Sequence, residues 1–260
     1  MNFESVFSKS WKEYKKNFRV IFLLTLILVG IPLIIGNIGV YWLASNDVSF
    51  YEALVTGEIE ETEISLKVAG SLFLLGLLTL ILYIIYEAGL IKDSLKGKFD
   101  VHRTTSSGMK NFWKLIWFFI VTTFFLVLLF TLLIIPGIIF LVYWLLGIYV
   151  YFDSNKTVIE SLRTSFYMVK GNWWRMLGYT LVLFLGLSLV GAIVSLIGFP
   201  TEQMLERIVN PDIDLFFSNI ILENIASLIY TMISVPFTIL FYKNVYLGLR
   251  GNSKTKKKKK

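Results

Sequence analysis

The six residues IIPGII, at positions 134–139, interrupt a long apolar part of the chain that extends from about residue 114 to residue 152. Read as a single helix, that part would be about 58 Å long at 1.5 Å per residue. This is nearly twice the roughly 30 Å of a bilayer core. Pro136 has no backbone N–H to donate, and Gly137 permits a turn. The sequence therefore predicts a tight helical hairpin that turns at Pro136 and Gly137.

Similar apolar runs recur along the whole chain of 260 residues, 56% of which are hydrophobic. Soluble domains contain about 45–50% apolar residues, and a helix of about 20 apolar residues is long enough to cross the hydrocarbon core. We therefore predict an all-α, polytopic integral membrane protein with six transmembrane helices. The runs occupy residues 20–44, 68–91, 114–135, 137–152, 174–199 and 218–247.

The charges divide the chain in the same way. All but two of the 25 Lys and Arg residues lie in segments 1–19, 92–114, 153–175 and 243–260, whereas the intervening segments 45–65 and 200–218 are acidic. Basic residues near the ends of membrane spans stay on the cytoplasmic side. Six spans satisfy this rule at every loop, so we predict a multi-pass protein of the cell membrane with both termini in the cytoplasm.

The six predicted spans pair into three hairpins, at about residues 20–91, 114–152 and 174–247. We expect the hairpins to form a single membrane domain, residues 1–253, which a basic cytoplasmic tail follows at residues 254–260. The tail could attract anionic lipid, at about 1 kcal/mol per Lys near the membrane surface. A free, solvated tail is the alternative.

Each predicted hairpin follows a similar lead-in, in which a basic residue precedes an Asn and an aromatic residue follows it. The three Asn residues are Asn17, Asn111 and Asn172, and Trp173 is the aromatic residue of the third lead-in. This similarity indicates a threefold internal repeat of a helical hairpin. Three unrelated lead-ins could also converge on such residues, because aromatic and basic side chains favour the membrane interface.

Two segments ahead of predicted spans have apolar residues on one helical face. In the first segment, which begins near Phe3, lysines take most of the other face. In the second, Thr157 and Glu160 have the spacing of a capping box. We predict amphipathic helices that lie in the cytoplasmic interface, with Asn172 and Trp173 at the corner where the second helix turns into the membrane. A soluble helix packed on loops is the alternative.

Two ionisable residues lie near the predicted cytoplasmic ends of spans, Glu87 and Lys243. A charge at the centre of a span costs about 2.5–3.5 kcal/mol on insertion scales, and less near the interface. One hypothesis pairs Glu87 with Lys243. The alternative is that Glu87 and Glu223, the two carboxylates within the apolar runs, both reach headgroups or water.

The sequence offers little for catalysis or for metal binding. It contains no Cys and one His, His102, so it lacks the residues of a conventional zinc or haem site. No P-loop motif for nucleotide phosphates is present. We expect a non-enzymatic protein with no cofactor and no catalytic residue, whose partners are membrane lipids, including anionic ones, rather than nucleic acid. Protein partners and oligomeric state stay open.

Residues 134–183, which contain the IPG turn, ESLRTS and the Lys-Gly-Asn-Trp-Trp motif, carry a family resemblance. They resemble the membrane domains of glycerophosphoryl diester phosphodiesterases and the related YciC-like membrane proteins. Residues 87–99 and the Tyr246 to Gly251 end fit the same pattern. In some family members this membrane region accompanies a soluble phosphodiesterase domain. The 260 residues are taken up by predicted spans, so the resemblance implies a topology and not that activity.

Two functions are compatible with this sequence. The leading hypothesis is a lipid-associated or envelope-supporting factor, because two predicted in-plane amphipathic helices and a basic tail face the same side of the membrane. The rival is a transporter or permease component, since hairpin repeats and Pro-interrupted spans occur in transporters. Few ionisable residues lie in the predicted spans, which disfavours the rival.

Overall fold

A computed structural model describes residues 2–46, 66–154, 156–198 and 213–258, and the described residues contain helices and no strand. One helix, at Leu26–Gly30, is a π-helix between α2 and α3. The α-helices are α1 (Phe3–Lys16), α2 (Phe18–Thr25), α3 (Ile31–Asn46), α4 (Leu66–Lys96), α5 (Val101–Leu132), α6 (Ile134–Trp144), α7 (Gly147–Asp153), α8 (Val158–Val169), α9 (Trp173–Gly198) and α10 (Ile213–Lys258).

Six helical segments are long and apolar enough to cross a membrane, which confirms the predicted all-α multi-pass protein in its broad form. Most of the two acidic segments, 45–65 and 200–218, lies outside the described residues. No break separates the predicted tail from the last span, because α10 continues to Lys258. The six segments are Phe18–Asn46, Lys67–Lys96, Val101–Leu132, Ile134–Asp153, Trp173–Leu196 and Ile220–Gly251.

The helices form two compact units, which are described separately. The first unit comprises Met1–Leu23, Ile84–Ser188 and Ile233–Lys260. The second comprises Leu24–Tyr83 and Leu189–Met232.

In the first unit, the break between α5 and α6 lies at Leu133, three residues before the predicted turn at Pro136 and Gly137. Leu133 has extended backbone angles, its N–H donates to the Leu129 carbonyl and its carbonyl accepts from the Gly137 N–H. Pro136 therefore lies in the first turn of α6. That position suits proline, because first-turn N–H groups have no partner within the helix, whereas proline inside a helix clashes with the preceding turn.

Contacts along α5 and α6–α7 follow the register of two antiparallel helices. Phe118 stacks on Tyr151 and Phe125 packs edge-on against Trp144, with ring centroids 5.7 and 6.3 Å apart. Nearer the break, a Cβ atom on Gly137 would lie 2.5 Å from the Phe130 ring. Gly137 is thus required for close packing, and not for the turn that the sequence suggested.

Helices α4 and α5 cross with their backbones in contact. A Cβ atom on Gly89 would lie 2.3 Å from the Thr104 carbonyl oxygen, and one on Gly108 would lie 2.0 Å from the Ile85 carbonyl oxygen. Beside this crossing, the buried Asp93 carboxylate accepts a hydrogen bond of 2.9 Å from the Thr104 hydroxyl group. The pair of glycines and the buried carboxylate fix where the two helices meet.

The three predicted lead-ins differ in structure. Asn17 alone separates α1 from α2, and its side-chain amide donates to the Glu13 carbonyl at 2.8 Å. In the third lead-in, Gly171 has a positive φ of 87° in the short turn between α8 and α9. Asn111 instead lies inside the continuous helix α5. The first and third lead-ins therefore interrupt the helix, and the second does not.

Both segments that were predicted as amphipathic helices are helical, as α1 and α8. The predicted capping box is confirmed, because the Thr157 hydroxyl accepts from the Glu160 N–H and the Glu160 carboxylate accepts from the Thr157 N–H. These hydrogen bonds from Thr157 hold the pKa of Glu160 below its usual value. Along α8, every third or fourth residue is buried, namely Val158, Ser161, Leu162, Ser165 and Val169.

Candidate lipid-binding groove

The hypothesis that Glu87 pairs with Lys243 is wrong. The ammonium group of Lys243, whose side chain is 3% exposed, donates instead to the Glu13 carboxylate of α1. The neighbouring Asn244 amide donates to the Ser10 hydroxyl at 3.0 Å. Glu13 reaches this site because aromatic residues of α1 pack on α10 around it. Those aromatic contacts join Phe3 with Phe241, and Phe7, Trp11 and Tyr14 with Phe237.

Glu87 is half-buried in α4. It makes no hydrogen bond or ion pair with the residues whose side chains the structure describes. Tyr149 of α7 lies within electrostatic range of its carboxylate, and the Tyr149 hydroxyl donates to the Ile239 carbonyl at 3.1 Å. Glu87 is therefore placed among α4, α7 and α10 without the basic partner that the sequence suggested.

The predicted corner residues Asn172 and Trp173 begin α9. The Asn172 carbonyl accepts the hydrogen bond of the Met176 N–H, as the residue before a helix does. The Trp173 indole N–H donates to the Ile139 carbonyl of α6 at 3.2 Å. This hydrogen bond connects the start of α9 to α6.

Two half-exposed lysines of the first unit lie near the carboxyl end of α7. Lys92 donates to the Phe152 carbonyl at 2.6 Å, and the Lys114 ammonium lies 4.5 Å from the centroid of the Tyr151 ring. The two ammonium groups are close enough to repel each other. Among the described side chains, no carboxylate forms an ion pair with either of them. They can therefore receive an anionic group from outside the chain.

The second unit contains an apolar groove of about 530 Å³ between α3 and α10. Volumes of roughly 300–1,000 Å³ are typical of small-molecule sites. The lining includes neither a basic nor an acidic side chain, and several of its isoleucines are about half-exposed. The lining residues are Gly30, Leu33, Ile34, Asn37, Ile38, Tyr41, Ile221, Asn224, Ile225 and Leu228.

Two carboxamides provide most of the polarity of this groove. The Asn224 side-chain N–H donates to the Asn37 side-chain oxygen at 3.0 Å and to the Ile220 carbonyl at 2.8 Å. A hydrogen bond between membrane helices contributes about 0.6 kcal/mol on average and up to about 2 kcal/mol. The pair therefore connects α3 with α10 and places polar atoms at the wall of an otherwise apolar groove.

Pro32 explains why the backbone near the groove departs from a regular α-helix. Pro32 has no N–H for the Leu28 carbonyl, and just before it the chain forms the π-helical turn Leu26–Gly30. The Ile31 N–H donates to the Leu26 carbonyl, five residues earlier. Such π-helical turns are frequent at functional sites. Gly30, the last residue of the turn, lines the groove, where a Cβ atom would lie 3.2 Å from the Leu228 side chain.

The groove can hold an apolar molecule or chain, and it offers no group for acid–base or nucleophilic chemistry. Among the described residues, no three His, Cys, Asp or Glu side chains come together in a way that could hold a metal ion. The apolar pattern of the sequence did not predict the groove. The available signal was the presence of Asn37 and Asn224 inside two otherwise apolar runs.

No protein-family model, no curated protein and no solved structure matches this chain.

Proposed function

We propose that this chain is a non-enzymatic, lipid-associated protein of the cell membrane that holds an acyl chain of a membrane lipid in the groove between α3 and α10. The observation that carries the proposal is the groove itself. Its lining is apolar and partly exposed, and it lies in the two segments Phe18–Asn46 and Ile220–Gly251, which are long and apolar enough to cross a membrane. In a bilayer, the molecules that reach such a surface are lipids.

The proposed topology has three helical hairpins in one membrane region, with both termini in the cytoplasm and α1 and α8 on the cytoplasmic side. It is supported by the basic segments 1–19, 92–114, 153–175 and 243–260, which this arrangement places on one face of the membrane. The antiparallel contacts between α5 and α6–α7 support the middle hairpin.

The bound lipids would include anionic ones. Lys92 and Lys114 lack a carboxylate partner within the described side chains and lie in a basic segment, where an anionic headgroup would compensate their charges. An envelope-supporting role would follow from holding such lipids.

The rival function is transport. Pro236 lies inside α10, and the π-helical turn before Pro32 interrupts the first apolar segment, as discontinuous helices do in transporters. The groove lining includes no acidic or basic group that could couple an ion to a substrate, so binding without transport is favoured. Uptake or efflux of a solute in proteoliposomes would favour the rival.

The acyl-chain site is tested by filling the groove. Ile38 lines the groove and is 63% exposed, and Ile193 of α9 is equally exposed but does not line the groove. We expect native mass spectrometry of the protein, extracted in mild detergent, to show retained phospholipid. Ile38→Trp should reduce the retained fraction severalfold, and Ile193→Trp should not, because only the first indole occupies the space of the acyl chain.

Equal retention in the two Trp variants, or no retained lipid in the unaltered protein, would contradict the proposal. The melting temperatures of both variants are measured in the same detergent. A loss of lipid in Ile38→Trp then counts only if its melting temperature equals that of Ile193→Trp, and Ile34→Phe is the second groove variant if it does not.

A further inference from the structure

The fourth apolar segment, Ile134–Asp153, contacts the start of α9 near one of its ends. The Trp173 indole donates to the carbonyl of Ile139, which lies only five residues from the beginning of the segment. The carboxylate of Asp153, at the other end, accepts from the Tyr246 hydroxyl at 2.7 Å and pairs with Arg250 of α10. Ile139 and Asp153 are separated by about 21 Å along a helix axis.

The contacts between α9 and α10 show that the partners of Ile139 and Asp153 lie at a similar depth. These partners are Trp173 of α9 and, on α10, Tyr246 and Arg250. The helices are antiparallel, since the Tyr242 hydroxyl donates to the Thr180 hydroxyl at 3.0 Å and Tyr230 lies against Gly191. The contact between Thr180 and Tyr242 serves as the reference point. Trp173 lies about 10 Å from it along the axis of α9, and residues 246–250 lie about 6–12 Å from it along α10, in the same direction in space. If the fourth apolar segment ran parallel to α10, Ile139 and Asp153 would instead lie far apart in depth, by about 21 Å.

Charged residues mark that level as the membrane surface. Lys170 and Arg175, on either side of Trp173, are both exposed. An exposed cation in the hydrocarbon core is costly. Ile139 therefore lies near the surface that carries the basic residues, although a full crossing would place it near the opposite surface.

The tip of the α5–α6 hairpin has the composition of a buried membrane segment and not of a water-exposed loop. Leu132, Leu133, Ile134 and Ile135 are 65–72% exposed in the protein, and no residue from Leu115 to Phe152 is charged. The extended residue Leu133 also has both of its backbone groups hydrogen-bonded. These two hydrogen bonds reduce the number of backbone groups that a chain reversal inside hydrocarbon would leave unpaired.

We infer that α5, from Leu115 onward, and α6–α7 form a re-entrant hairpin that enters and leaves the membrane on the side of the basic segments. The chain then crosses the membrane four times, through Phe18–Asn46, Lys67–Lys96, Trp173–Leu196 and Ile220–Gly251. Because two crossings are removed together, both termini and every basic segment stay on one side, and the charge distribution fits four crossings as well as six.

The partner of this hairpin is the acyl-chain layer of the leaflet beside the basic segments. An apolar hairpin confined to one leaflet adds area to that leaflet alone, so the protein would favour membranes with loose packing or curvature there, as interfacial helices do. This inference goes beyond the acyl-chain groove and does not depend on it, because the groove lies in the other unit.

The inference is tested by spin-label accessibility in liposomes, for which the absence of native Cys is convenient. Nitroxides are attached to Leu133→Cys at the tip and to Phe124→Cys in α5, which are similarly exposed at 65% and 62%. We expect a water-soluble nickel chelate to relax the label at position 133 no more than the label at position 124. Ser45→Cys, at the end of α3, is the accessible control, for which we expect at least tenfold stronger relaxation.

A hairpin that crosses the membrane gives the opposite result, with position 133 as accessible as position 45 and position 124 protected. That outcome would overturn the inference while leaving lipid retention in the groove unaffected. Leu132→Cys and Ile135→Cys, which are 70% and 72% exposed, replace Leu133→Cys if that variant does not fold.

Discussion

Lys243 illustrates how a single buried charge depends on an element far away in sequence. Its side chain is 3% exposed, and its partner Glu13 is 29% exposed. Glu87 lies inside an apolar run near the same predicted end of a span as Lys243, so the sequence favours it as the partner. Glu13 precedes the first span, and only the packing of α1 aromatic rings on Phe237 and Phe241 brings it to α10.

Glu13→Gln should destabilise the protein more than Lys243→Met does. The first change leaves a buried ammonium group without a counter-charge, and breaking a buried ion pair in this way costs about 3–5 kcal/mol. The double variant removes both charges and should recover most of the loss. The measurement is the free energy or midpoint of unfolding in a single detergent.

Glu4→Gln is the matched control, since Glu4 is exposed in the first turn of the same helix. If Glu13→Gln and Glu4→Gln unfold at the same midpoint, or if the double variant is less stable than Glu13→Gln, the ion pair does not stabilise the packing of α1 on α10.

At the scale of elements, Pro136 and Gly137 show that a sequence pattern can predict a helix break without giving the residue at which it occurs. Proline predicts that a helix breaks nearby, and the break exists. Its position at Leu133 follows from where proline fits without a clash, which is the first turn of the next helix and not the turn itself. The helices α1 and α8 could be predicted because apolar periodicity and the capping box are local signals.

Helix crossings were not predictable in the same way, because they depend on which backbones meet. Gly108 is one of several glycines in the sequence, and only the structure places the Ile85 carbonyl 2.0 Å from its hypothetical Cβ atom. The groove was missed for a similar reason, since Asn37 and Asn224 are far apart in sequence and meet only through packing.

Gly108→Ala should separate α4 from α5. The added methyl group would overlap a backbone carbonyl, which cannot move as a side chain can, and overpacking of this kind costs about 1–3 kcal/mol or more. Gly76→Ala is the matched control in α4, because a Cβ atom there meets nothing within 4 Å. The control should be neutral or more stable by up to about 1 kcal/mol, from helix propensity.

The measurement for this pair is the midpoint of thermal unfolding in detergent. If Gly108→Ala and the Gly76→Ala control unfold at the same midpoint, the backbones of α4 and α5 do not approach each other as closely as in the structure.

At the scale of the whole molecule, the account depends on one claim, that all basic segments lie on a single side of the membrane. The sequence predicts this from charge alone, and the number of apolar helices is compatible with it. The claim holds whether or not the middle hairpin crosses the membrane. A hairpin that enters and leaves on one side also leaves an even number of membrane crossings.

The most direct test is the labelling of single-Cys variants with a membrane-impermeant maleimide, in intact and in permeabilised cells. Lys9→Cys, Lys98→Cys and Lys170→Cys probe three exposed basic positions, and Ser45→Cys probes the opposite side. The account predicts that Ser45→Cys reacts in intact cells and that the other three react only after permeabilisation. Labelling of Lys98→Cys in intact cells, with Lys9→Cys still protected, would contradict it.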